Sequence, residues 1–119
     1  MKRHLYLVFT NAVEGHEDEL NEWYTRRHFV DMLQLDGFEA AQRFEIDPDV
    51  AELPFRYLVI YEVPEDKLEA AKQSLRDNAR ERSEALAAGR EPRIPVSPLV
   101  ANMRSFWCHA TTDLFEAES

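Results

Sequence analysis

The residues best suited to chemistry in this sequence are concentrated in one short segment: Trp23, Tyr24, Arg27, His28 and Asp31. In a helix, positions 24, 28 and 31 lie on one face because they are separated by four and three residues. A histidine that titrates near neutral pH, placed beside a phenol and a carboxylate, could move protons, with Asp31 orienting the imidazole. The adjacent Trp and Tyr would form a flat apolar wall for an aromatic or otherwise unsaturated ligand.

The alternative for this segment is ordinary packing. An aromatic stripe on a helix is commonly part of a core, and a single histidine is commonly a packing residue. Three tyrosines on the central strands are further candidates, because the strand face that the helices cover would present their phenols to a ligand. These residues are Tyr6, Tyr57 and Tyr61.

The elements that must position these residues follow from hydrophobic periodicity. Strand patterns span residues 4–10, 38–46, 55–63 and 99–110. A helical pattern, continuous or in two pieces, follows the acidic segment 14–19, and a second starts at Pro64 and stops at Gly89. The order β-α-β-β-α-β predicts an α+β, ferredoxin-like domain over residues 1–110, with an acidic tail at 111–119. Its four-stranded antiparallel sheet would have the first and third strands at the centre.

Both faces of the predicted sheet centre are apolar. Leu5 and Leu7 alternate with Tyr6 and Val8 on the first strand. Two helices can cover only one face, so the sequence predicts a homodimer that packs sheet against sheet into an α/β barrel. The alternative is an apolar patch that a monomer tolerates. On the second strand we expect Arg43 on the solvent side, as a surface or interface ion-pair residue.

Composition excludes several classes of partner. The 119-residue chain carries 14 Lys plus Arg and 23 Asp plus Glu, a net charge of −9, so it lacks the basic surface that nucleic acids require. No apolar run is long enough to span a membrane. A single cysteine, Cys108, cannot form an internal disulfide, which predicts a cytoplasmic protein.

No metal site or cofactor is predicted. His16 begins an H-E-x-x sequence, but the second histidine of the zinc motif is missing. His28 and Asp31 supply two possible ligands where a site needs three or more. With three glycines and no glycine-rich loop, the chain does not match a dinucleotide-binding fold either.

A family resemblance adds to these inferences. The run from Trp23 to Leu33, with Gly37-Phe38 and the 41–44 segment Ala-Gln-Arg-Phe, resembles the EthD-like members of the dimeric α/β-barrel superfamily. In that superfamily two ferredoxin-like subunits pack their sheets together, and a pocket lies between each sheet and its helices. Members include polyketide cyclases, muconolactone isomerases, cofactor-free monooxygenases and haem-degrading enzymes. The order of axial His, Asn and Trp that a haem degrader needs is not evident.

The resemblance implies roles for individual residues. His28 would be the general acid/base, assisted by Tyr24, and Trp23 and Asp31 would contact the substrate. Two functions therefore remain open. The first is a cofactor-independent isomerase, cyclase or monooxygenase that acts on a small hydrophobic or aromatic metabolite. The second is a non-catalytic dimeric protein that binds a metabolite or has a stress or accessory role.

Overall fold

A computed structural model of the protein describes residues 2–49 and 52–118. The strands are β1 (His4–Ala12), β2 (Ala40–Glu45), β3 (Tyr57–Val63) and β4 (Val100–His109). The helices are α1 (Glu17–Trp23), α2 (Phe29–Met32) and α3 (Leu68–Ala87). A π-helical turn (Tyr24–His28) joins α1 to α2, and a 3₁₀ turn (Glu65–Lys67) precedes α3.

The strands form one antiparallel sheet in the order β2-β3-β1-β4. This topology confirms the predicted ferredoxin-like α+β fold, with β1 and β3 at the centre. The first helical pattern is present as two helices rather than one. Among the described residues, no helix is both long enough and apolar enough to cross a membrane.

One face of the sheet packs against the helices and forms the core. Alternate residues of β3 are almost fully buried there, with Tyr57, Val59, Tyr61 and Val63 between 0% and 3% exposed. Leu20 of α1 is also inaccessible to solvent. Burial of such large side chains contributes about 1.5–3 kcal/mol each. The helix-covered face is therefore the face that carries the central-strand tyrosines.

Gly37 brings the chain after α2 into direct contact with α3. Its φ is +97°, and a Cβ on this residue would lie 2.7 Å from the Cβ of Ala71. Since α2 already ends at Met32, Gly37 does more than stop a helix. It allows a backbone approach to α3 that no side chain permits.

The orientation of β2 differs from the prediction. Ala41 and Arg43 are opposite Tyr61 and Val59, so their side chains lie on the helix-covered face. Gln42 is exposed on the other face. The prediction that Arg43 lies on the solvent side was wrong, because a charged side chain on an edge strand need not be exposed to solvent. Its long side chain can instead be covered along most of its length.

The second face of the sheet is apolar, and no helix among the described residues covers it. Leu5, Leu7 and Phe9 of β1 are only partly buried there. Phe44 is 38% exposed and Phe106 is 42% exposed. Beyond β4, the tail leaves Leu114 and Phe115 81% and 95% exposed. We call this side of the sheet the open sheet face. The strand registers place the polar residues Gln42, Glu62 and Arg104 on it as well.

Candidate functional site

The candidate site begins at the π-helical turn. The backbone N–H of Phe29 bonds to the carbonyl oxygen of Tyr24, five residues earlier, so this turn holds one residue more than an α-helical turn. Single π turns occur frequently at functional sites. Here the turn buries Tyr24, which is 3% exposed, and presents His28 beside it.

His28 is held between two aromatic rings. Its imidazole stacks on the indole of Trp23, with ring centroids 4.6 Å apart and planes inclined by 19°. It meets the Tyr24 ring edge-on at 5.3 Å. The Nδ1 atom is buried and has no hydrogen-bond partner among the described residues. An unpartnered buried nitrogen of this kind is costly and needs an explanation.

Burial lowers the pKa of His28 from its usual 6.5 to about 4. The positive charges of Arg82 and Arg43 lower this pKa further, and Asp31 partly offsets them. The imidazole is therefore neutral at pH 7. A neutral imidazole has one nitrogen that donates and one that accepts, so it can form a hydrogen bond of either kind with a ligand.

A cavity of about 90 Å³ lies between the helices and the sheet. Five of the predicted site residues line it: Tyr6, Trp23, Tyr24, His28 and Tyr61. The cavity also touches Val96 and Met103, which are 42% and 55% exposed, so its mouth lies between β4 and the loop of residues 88–99 that precedes it. Burial raises the pKa of Tyr61, so its phenol keeps its proton.

Two predicted site residues do not line the cavity. The carboxylate of Asp31 pairs with Arg27, whose Nε lies 3.4 Å from Oδ2. Because the Nδ1 atom of His28 is unpartnered, Asp31 does not orient the imidazole through that nitrogen. Tyr57 is buried under the guanidinium of Arg43, whose Cζ lies 4.6 Å from the centre of its ring.

Arg43 packs against the aromatic residues next to the cavity. Its Cζ lies 4.0 Å from the centre of the Tyr24 ring, so the guanidinium is stacked between Tyr24 and Tyr57. Its Nε donates to Oδ1 of Asn21 at 2.7 Å, and its Nη1 donates to Oγ1 of Thr10 at 3.1 Å. These contacts tie the π turn to β1, β2 and β3, which fixes the position of Tyr24.

Sequence reasoning missed two polar residues on α3, Asn78 and Arg82, which also line the cavity. Leu86, an apolar residue near the end of this helix, is 65% exposed. The inward face instead passes through positions 71, 75, 78, 82 and 85. Their spacing of four, three, four and three residues was a usable signal. Because Asn78 and Arg82 are polar, this face did not stand out as an apolar stripe in the sequence.

No metal site is visible in the described part of the chain, where no group of three or more His, Cys, Asp or Glu side chains could hold an ion. The cavity is lined by aromatic and aliphatic side chains together with the neutral imidazole of His28 and the side chain of Arg82.

Comparisons with known proteins support the fold. No known protein family and no curated protein matches the chain. Among solved structures, the haem degrader MhuD from Mycobacterium tuberculosis, with two haems in its active site, aligns with a TM-score of 0.59 and 15% identity. The alignment spans 94% of this chain and 99% of that one. At this identity the likeness shows the fold alone.

Two further structures align more loosely. A dimeric ferredoxin-like protein of unknown function from Thermobifida fusca has a TM-score of 0.49 and 9% identity over 92% of each chain. A proposed monooxygenase from Shewanella loihica has a TM-score of 0.48 and 14% identity over 97% of this chain and 99% of that one. A specifically EthD-like relationship stays a prediction.

Haem does not fit the residues around His28. Sites for drug-sized ligands have volumes of about 300–1,000 Å³, whereas this cavity has about 90 Å³. Trp23 also covers one face of the imidazole, so a planar macrocycle has no open approach along that face.

Proposed function

We propose that this protein binds a small unsaturated metabolite in the cavity beside His28 and moves a proton on it without a cofactor. The observation that supports this proposal is the Nδ1 atom of His28, which is buried at the cavity and has no partner in the part of the chain that the structure describes. A buried polar atom without a partner is uncommon in a stable fold, and a ligand would supply the missing hydrogen bond.

The proposed reaction is a proton transfer of the isomerase or cyclase type. The neutral imidazole of His28 accepts a proton from a carbon or hydroxyl of the ligand and returns it to another position. The phenols of Tyr6 and Tyr61 line the same cavity and donate hydrogen bonds to the oxygen on which negative charge develops. A monooxygenase reaction would begin with the same proton removal and would then consume dioxygen.

We extend the proposal to an EthD-like homodimer in the cytoplasm. The open sheet face supports the dimer, because Leu5, Leu7 and Phe9 lie on a central strand and stay partly exposed in one chain. A second copy on this face would bury them in a two-fold interface. The free, exposed Cys108 supports a reducing compartment.

The test is hydrogen–deuterium exchange on a small ketone. Cyclopentanone in deuterated buffer loses its α-protons slowly, and NMR spectroscopy measures the loss directly. We expect the wild-type protein to accelerate this exchange at least tenfold over buffer, and we expect His28→Gln to abolish the acceleration while circular dichroism shows an unchanged fold. Equal exchange by the two proteins would contradict the catalytic role of His28.

One observation favours a second candidate, a binding protein without catalysis. The pKa of His28, about 4, is well below the neutral range in which a general base is most effective. In that case cyclopentanone would shift the NMR signals of Trp23 and His28 without any gain in exchange rate. The same experiment therefore separates the two functions.

A further inference from the structure

We infer that the ligand of the His28 cavity is a small unsaturated carboxylate, and that Arg82 is the residue that selects it. This inference rests on the proposed function, because it concerns the same cavity. It adds the charge of the ligand and a residue that recognises this charge.

The first observation is the charge of the cavity. Of the described residues that line it, Arg82 is the charged one, and no Asp or Glu is among them. The whole chain carries a net charge of −9, so acidic side chains are abundant elsewhere. A cavity with one cation and no acid in a strongly acidic protein favours an anionic ligand over a neutral or cationic one.

The second observation is the state of the Arg82 side chain. Its Nε atom is buried and has no hydrogen-bond partner among the described residues. Guanidinium groups bind carboxylates with two parallel hydrogen bonds, and Nε is often one of the two donors. A buried donor of this kind remains unsatisfied until an acceptor enters the cavity.

Other arginines on α3 behave differently, although they belong to the same helix. Arg76 donates to Oε1 of Gln73 at 2.9 Å, and Arg80 lies 3.9 Å from Asp77. The side chain of Arg80 is 68% exposed. Arg82 alone of these three lies on the inward face with Leu75 and Asn78. The inward placement of Arg82 is explained by the alternating four- and three-residue spacing of that face and not by a surface ion pair.

The third observation is that the unpartnered atoms of Arg82 and His28 belong to one cavity. The two side chains are close enough for the charge of Arg82 to lower the pKa of His28. A carboxylate bound at Arg82 would accept hydrogen bonds from its guanidinium. Its negative charge would offset the positive charge of Arg82 that disfavours protonation of His28, so binding would raise the pKa of His28. Ligand binding and proton uptake would therefore be coupled.

The experiment compares crotonate with crotonamide, a neutral molecule of nearly the same shape. NMR titrations follow the His28 ring signals of the full chain at pH 7, and a pH series with and without crotonate measures the His28 pKa. We expect crotonate to bind at least tenfold more tightly than crotonamide and to raise the His28 pKa. Arg82→Gln should remove the preference for crotonate, whereas Arg82→Lys should keep part of it. The matched control Arg80→Gln, on the same helix but exposed, should bind as the wild type does.

The outcomes distinguish this inference from the proposed function. Equal binding of crotonate and crotonamide, or an unchanged preference in Arg82→Gln, would overturn the carboxylate inference. The cyclopentanone exchange test would still decide proton transfer independently, because that probe is neutral. If wild-type protein exchanges cyclopentanone but does not prefer crotonate, the cavity acts on a neutral ligand and Arg82 has no selecting role.

Discussion

The imidazole of His28 lies nearly parallel to the indole of Trp23, with 4.6 Å between the ring centroids. This stack covers one face of the imidazole, while the edge contact with Tyr24 restricts its rotation. The ring is thereby fixed with its Nδ1 atom buried and without a partner among the described residues. The lowered pKa of His28 results from this enclosure, and a change of pH should therefore affect the stability of the protein.

We expect the free energy of unfolding to fall as the pH decreases from 6.5 to about 4. Above pH 6.5 the imidazole of His28 is neutral in both the folded and the unfolded chain, so it has no effect. Below that pH the unfolded chain binds a proton first, because burial lowers the folded pKa to about 4. The loss is at most about 3.5 kcal/mol, from ~1.4 kcal/mol per pKa unit.

Urea denaturation of the wild type and His28→Gln over this pH range measures the effect. The variant should lose less stability on acidification than the wild type does. His16→Gln is the matched control, because His16 is an exposed residue beside Glu19. A variant with the same pH dependence as the wild type would contradict the low pKa of His28.

Gly37→Ala should destabilise the fold strongly. The new Cβ would lie 2.7 Å from the Cβ of Ala71 and 2.8 Å from its backbone nitrogen, so α3 would have to move. We expect a loss of about 3 kcal/mol or more, the sum of a left-handed backbone and overpacking. Gly89→Ala controls for the backbone part, because Gly89 also has positive φ but no atom within 4 Å. Equal losses in thermal denaturation would refute the close-approach explanation.

Arg43→Met should cost about 2–4 kcal/mol, because it removes a cation between two aromatic rings and leaves two hydrogen-bond partners unsatisfied. Those partners are Asn21 and Thr10, of which Thr10 is fully buried. The Tyr24 and His28 NMR signals should shift as well. Arg26→Met, which breaks an exposed pair with Glu22, should change stability by less than about 0.5 kcal/mol. If both variants were equally stable, Arg43 would be a surface residue after all.

Leu58→Glu should separate the proposed homodimer into monomers, since Leu58 lies opposite Phe9 and Phe44 on the open sheet face. Analytical ultracentrifugation should give twice 13.9 kDa for the wild type and 13.9 kDa for the variant. Val30→Glu is the control, because Val30 is 55% exposed on α2, away from that face. A monomeric wild type would show that the apolar face is simply tolerated.

The fold could be predicted from the sequence because its signals are local and repeated. The alternation in β3, from Tyr57 to Val63, and the acids before α1 identify the elements directly. The aromatic residues around His28 were predicted for the same reason, since Trp23, Tyr24 and His28 are neighbours in the chain. A prediction of contacts between residues that are close in the chain holds even when the predicted helix geometry is slightly wrong.

Contacts between distant segments could not be predicted. The burial of Arg43 depends on its register opposite Val59 and on a ring from the π turn above it. The role of Arg82 depends on which face of α3 meets the sheet, and that face is set by the approach of Gly37 to Ala71. A prediction from hydrophobic periodicity places a polar side chain on the surface, unless its partner from a distant part of the chain is already known.

The π turn divides the first helical region into two registers. Leu20 and Tyr24 are buried before the extra residue, and Met32 is buried after it. Deleting one residue from the turn would rotate everything downstream by roughly 100° about the helix axis. Either His28 would leave the cavity or Met32 would leave the core. The length of this segment is therefore a structural constraint in itself, independent of which side chains occupy it.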